Sequence, residues 1–143
     1  MADYLSKTRT NYFHVTDEAA FRALIANVSA DSPVEVYTDT HDDLTTYGFC
    51  CNGSINGLRV LDGEELCDED MKNDDLIDEL QKLISPGDAA IITEVGAEAM
   101  HYLSASAMII TASGTEYVDL ASLAITTAAN MLKIKDWKTK MDY

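Results

Sequence analysis

Between Asp62 and Glu79 the chain carries ten of its 25 acidic residues and a single base, Lys72. Ionised carboxylates at that density cannot leave water without partners. The stretch must therefore lie on the surface, and the core must be built from the segments that flank it. Its two halves differ. Residues 62–73 have little apolar content and predict an acidic loop. From Asp74 onward, Leu76, Ile77, Leu80, Leu83 and Ile84 recur at helical spacing, predicting an amphipathic helix with its acids outward, stopped by Pro86-Gly87.

The flanks read as short alternating elements. Asn11–Thr16 has the aromatic and β-branched content of a strand. Thr16 is the expected N-cap of a helix in which Phe21, Leu24, Ile25 and Val28 follow at i, i+3, i+4 and i+7, ending at Asp31-Ser32-Pro33. Val34, Val36 and Thr38 alternate with polar residues as a second strand, the loop Asp39–Asp43 follows, and Thr45–Cys51 is a third strand. Asn52-Gly53 and Asn56-Gly57 predict a tight hairpin or paired turns before a short strand at Leu58–Leu61. Beyond the acidic helix come strands at Ala89–Val95, Met100–Ala112 and up to Val118. A last helix spans Asp119–Ile134, with Leu120, Leu123, Ala124, Ala128 and Met131 on one side. The order implies an α+β fold: a mostly antiparallel sheet with two or three helices packed on one face, a ferredoxin-like variant being one form of it.

A length of 143 residues with 47% hydrophobic content fits one domain, residues 1–143, able to bury its own core. The polar N-terminus, Met1–Thr10, predicts no secretory leader, and no uncharged apolar run reaches membrane length. Three cysteines, Cys50, Cys51 and Cys67, without Cys-x-x-Cys spacing argue against a disulfide framework and point to the cytoplasm. The formal net charge is −15, and the bases gather at the ends: Lys7 and Arg9 at one, the basic tail 133–143 with four lysines at the other. Such a field repels nucleic acid and attracts basic protein surfaces. The tail could contact nucleic acid or fold back on the acidic body with Trp137 as anchor; the second is the cheaper arrangement. The apolar strand around His101–Ile110 leaves a homo-oligomer open.

Signatures of chemistry are weak. Asp68, Asp70, Asp74 and Glu79 fall at positions one, three, seven and twelve of an EF-hand count, but Lys72 takes position five and Asn73 replaces the turn glycine, which defeats a calcium site. His41 stands among Asp39, Asp42 and Asp43 in a pattern that matches no metal motif and reads best as an exposed polar turn. Cys50 and Cys51, adjacent on a strand, must point to opposite faces, and no neighbouring base marks either as a nucleophile. No glycine-rich phosphate loop occurs, so nucleotide binding has no sequence support, and with neither acidic cluster fitting a metal motif no cofactor and no metal is expected.

The segments Ser6-Lys7-Thr8-Arg9-Thr10-Asn11-Tyr12-Phe13, Gly48-Phe49-Cys50-Cys51-Asn52-Gly53-Ser54-Ile55 and Val118-Asp119-Leu120-Ala121-Ser122 resemble landmarks of small acidic proteins carried by phages and integrative elements of gut Firmicutes. The resemblance implies an accessory protein of a mobile element that acts against host defence, and the motifs that carry it are not enzymatic signatures. With the charge pattern, it makes the expected function a non-enzymatic inhibitor that blocks a nucleic-acid-handling protein by charge mimicry. The expected contact residues are Asp68, Glu69, Asp70, Asp74, Asp75 and Asp78, with Asp39, Asp42 and Asp43 as a second group, and the expected partner is a basic protein surface rather than nucleic acid or membrane. The alternative is a small enzyme or ligand- or metal-binding protein using the His41 loop or Cys50 and Cys51.

Overall fold

In the computed structural model the described backbone covers residues 4–62, 65–98 and 102–140, and the described side chains are those of residues 4–59, 75–98 and 103–140. Nine strands and three helices lie within them: β1 (Tyr4–Thr10), α1 (Glu18–Ala26), β2 (Val28–Ala30), β3 (Glu35–His41), β4 (Leu44–Asn52), β5 (Ile55–Asp62), β6 (Glu65–Lys72), α2 (Asn73–Leu83), β7 (Ala89–Glu98), β8 (Tyr102–Thr111), β9 (Gly114–Asp119) and α3 (Leu120–Leu132). A six-stranded sheet runs β3-β4-β1-β7-β8-β9 and a three-stranded sheet runs β2-β5-β6. Every pairing between these strands is antiparallel. The fold is α+β, as the sequence implies. Within the larger sheet, the order β3-β4-β1-β7, with α1 between β1 and β3 and α2 between β4 and β7, makes a β-α-β-β-α-β unit. The small sheet and the β8-β9-α3 extension are additions to that unit.

The core lies between one face of the six-stranded sheet and helices α1 and α2. Phe13, Phe21 and Phe49 are fully buried at its centre, and Phe21 meets Phe13 edge to face with ring centroids 5.7 Å apart. From α2 come Leu76, Ile77 and Leu80, with Ile84 just beyond; Ala90 of β7 and Ile110 of β8 close the far side. The helical spacing read in the sequence is thus the face that α2 buries.

Several boundaries differ from expectation, each for a local reason. The first strand is Tyr4–Thr10, not Asn11–Thr16. At Asn11 the side chain joins the backbone in bonding β7: its Nδ2 donates to the Ala89 carbonyl at 2.9 Å, Ile91 N donates to its Oδ1 at 2.7 Å, and its own backbone N–H donates to Ile91 O at 3.3 Å. The chain then leaves β7, so Phe13 and Val15 make only single bridges, to Tyr47 and Ile84. The N-cap of α1 is Asp17 rather than Thr16: its Oδ1 accepts from Ala20 N at 3.1 Å. That helix stops at Ala26, and Val28 belongs to β2, which pairs with β5.

The expected loop Asp39–Asp43 is shorter. β3 runs through Asp39 to His41, and only Asp42 and Asp43 form the turn, with φ of 52° and 64°. Aspartate tolerates this left-handed conformation better than most residues, and a two-residue hairpin needs it twice. Asn52-Gly53 is not a hairpin either. β4 belongs to the large sheet and β5 to the small one, so Gly53, at φ +87°, switches the chain between sheets. A Cβ there would stand 2.5 Å from Asp31 Cβ. The expected acidic loop 62–73 is also largely strand: residues Glu65–Lys72 form β6 against β5. Backbone pairing with a neighbouring strand overrides poor strand propensity here.

Candidate partner-binding surface

Helix α2 buries its apolar stripe and leaves Asp75, Asp78 and Glu79 in water. These carboxylates rim an open groove of about 700 Å³, which Leu58 and Arg59 of β5, Gln81 and Lys82 of α2 and Ala112 also line. The groove is less uniformly negative than the sequence suggests. Lys82 Nζ lies 2.8 Å from Glu79 Oε1, one turn along the helix, and the hydrogen bond to that carboxylate holds the Lys82 amine above its usual range. Arg59, distant in sequence from α2, reaches the same groove. Asp75 and Asp78 are the contact candidates here that make no ion pair among the described residues. The side chains of Asp68, Glu69, Asp70 and Asp74 lie outside the described residues; their backbone belongs to β6 and the first turn of α2.

The second expected group is on a different element. Asp39, Asp42 and Asp43 are all exposed at or near the β3–β4 turn, on the edge of the large sheet. β8, which α2 touches, is four places along from β3 in the strand order. The described carboxylates of the two expected groups therefore lie in two separate areas. His41 Nε2 lies 3.4 Å from Asp42 Oδ2, with both side chains almost wholly in solvent. No group of three His, Cys, Asp or Glu positioned to hold a metal ion occurs among the described residues.

The two described cysteines do take opposite faces. Cys51 pairs across from Thr8 and is buried, whereas Cys50 pairs across from Arg9 and is partly exposed. Burial raises the Cys51 thiol pKa, the opposite of what an activated thiolate requires. On the outer face Arg9 stacks on Tyr37, its guanidinium carbon 4.5 Å from the ring centroid. The Tyr37 ring lies across Gly48, where a Cβ would collide with it at 2.2 Å.

One ionic contact was not anticipated from sequence. Asp88, in the turn after α2, accepts from His14 N at 2.7 Å, from the His14 ring at 2.8 Å and from Ala89 N at 2.8 Å. Burial works to raise its pKa, but these donors outweigh burial and hold the carboxyl below its ordinary value. The contact ties the chain after β1 to the start of β7 and has the look of a clamp. A pairing across 74 residues has no local signature.

The C-terminal segment also departs from expectation. The tail turns back along α3: Trp137, half-buried, shares a groove of about 510 Å³ with Ile125, Ala129 and Lys133. Lys133, Lys135, Lys138 and Lys140 are exposed and form no ion pair with the acidic body among the described residues. Among the described residues, no helix is long and apolar enough to cross a membrane. Compared with family models, curated proteins and solved structures, the chain matches none.

Proposed function

We propose that the protein is a non-enzymatic acidic binding module that captures the basic surface of a nucleic-acid-handling protein and blocks it by charge mimicry. The observation that carries this reading is the outward row of Asp75, Asp78 and Glu79 on a helix whose other face is locked into the core. A rigid element presenting carboxylates to solvent is preorganised for Lys and Arg clusters, and long-range attraction to a chain of net charge −15 speeds encounter. Asp68, Glu69, Asp70 and Asp74 extend this surface in the proposal; Asp39, Asp42 and Asp43 supply a second contact. Action inside the cytoplasm, as an accessory of a mobile element directed against host defence, completes the reading.

The rival, a catalytic or metal-binding site at His41 or at Cys50 and Cys51, draws less support. The His41–Asp42 pair stands in open solvent, and the buried thiol is pushed away from reactivity. The two readings separate in a capture experiment. Immobilised wild type should retain basic proteins from a cell lysate at about 50 mM salt and release them near 200 mM or on addition of duplex DNA. Retention that neither salt nor DNA disturbs would remove the mimicry reading.

A further inference from the structure

Among the described residues, α3 is the one helix without a buried side chain. None of its 13 residues is charged and none is buried, and Leu120, Leu123 and Met131 are exposed to 60%, 54% and 79%. The sequence pattern places these leucines and Met131 on the packed side. Instead the half-buried positions are Ala121, Ile125, Ala128 and Ala129, the side turned to the tail and to β8 and β9. Leu120, Leu123, Thr127 and Met131, spaced three, four and four residues apart, form a narrow seam along the exposed side. An uncharged seam of this kind on a chain of net charge −15 needs a cover.

We infer that the cover is α3 of a second copy, packed antiparallel to form a two-fold dimer. Charge selects this occupant and this direction. The far end of α3 leads into Lys133 and Lys135, which are exposed at the rim of the Trp137 groove beside Asp136 and form no ion pair among the described residues, while its near end is preceded by Glu116 and by the N-cap Asp119. Antiparallel packing sets the lysines of each copy beside Glu116 and Asp119 of the other, twice by symmetry. It also opposes the helix dipoles favourably. A parallel pair would set like charges together. Elsewhere two copies repel through their carboxylates; along α3 there is no charge to repel. An anionic membrane, the other surface suited to an apolar helix with a lysine tail, is disfavoured by the charge of the body.

This inference does not depend on the acidic surface being a partner site. Sedimentation equilibrium on the full chain at concentrations up to about 100 µM should give twice the 15.7 kDa monomer mass. L123E/M131E should sediment as a monomer with the circular dichroism of wild type, because neither side chain is part of the core. The pair K133E/K135E should weaken dimerisation at least tenfold, and adding E116K should restore part of it, since the swap re-forms the contacts at position 116 with their charges exchanged while Asp119 still opposes the new glutamates. A monomer at every concentration, a dimer that survives L123E/M131E, or no rescue by E116K would each overturn the inference.

Discussion

Lys82 Nζ sits 2.8 Å from Glu79 Oε1 on the exposed side of α2, so a base occupies the groove that the acidic residues define. The contact partly neutralises Glu79 and leaves Asp75 and Asp78 as the described carboxylates on α2 without an ion pair. Replacing Lys82 by Gln is therefore expected to tighten capture of basic proteins and to steepen its salt dependence. Charge reversal in D75K/D78K is expected to do the reverse. Retention measured across a salt series checks both, and melting temperatures close to wild type show that the fold is unchanged.

Asp88 controls an acid-side component of stability. Its folded-state pKa lies below the ordinary value of 3.8, so the stabilisation is complete above that value and is lost as pH falls through the lower folded value. D88N should cost about 1–3 kcal/mol at neutral pH, the range for a partly buried group that loses charge-assisted hydrogen bonds. It should also flatten the decline in stability below about pH 4. Urea unfolding of both proteins across that pH range is the check.

Phe21 is the most consequential core position. It is fully buried and touches Phe13, Tyr47 and Phe49. F21A should destabilise by about 3–5 kcal/mol, with a lower denaturant midpoint and little change in the slope of the transition.

Gly53 and Gly87 share φ of +87° but differ in space. A Cβ at Gly53 strikes Asp31, whereas one at Gly87 meets nothing within 4 Å. G87A should cost about 1–2 kcal/mol, the left-handed backbone penalty alone. G53A should cost more, because Asp31 must also move and its carboxylate accepts from Ser54 N at 2.9 Å. Thermal unfolding of the two variants tests the ranking.

The two described thiols should differ in reactivity. In a C67S background, Cys50 should be alkylated faster than Cys51, whose thiol is buried and shifted upward. Mass spectrometry of timed iodoacetamide reactions on peptides resolves the two.

Elements whose periodicity was set by packing were legible in the sequence: α2 through Leu76, Leu80 and Ile84, and the β7-β8-β9 meander through its apolar runs and Ser113-Gly114 turn. What depended on distant partners was not. β6 is held by pairing with β5, not by the propensity of its acidic residues. Asn52-Gly53 carries the signature of a hairpin, yet the strands it joins enter different sheets. Nor did composition reveal which side of α3 would face the body, because apolar residues surround it. At the candidate surface, the outward acids of α2 followed from its helical period, while Arg59 arrived from another strand with no local cue.

In the proposed function, carboxylates of α2 bind a basic protein surface in place of nucleic acid. The most direct measurement is the fraction of captured lysate protein that duplex DNA displaces from immobilised wild type and from D75K/D78K at about 50 mM salt. DNA should displace most of the protein held by wild type, and the variant should hold little. Equal capture by both, undisturbed by DNA, would contradict it.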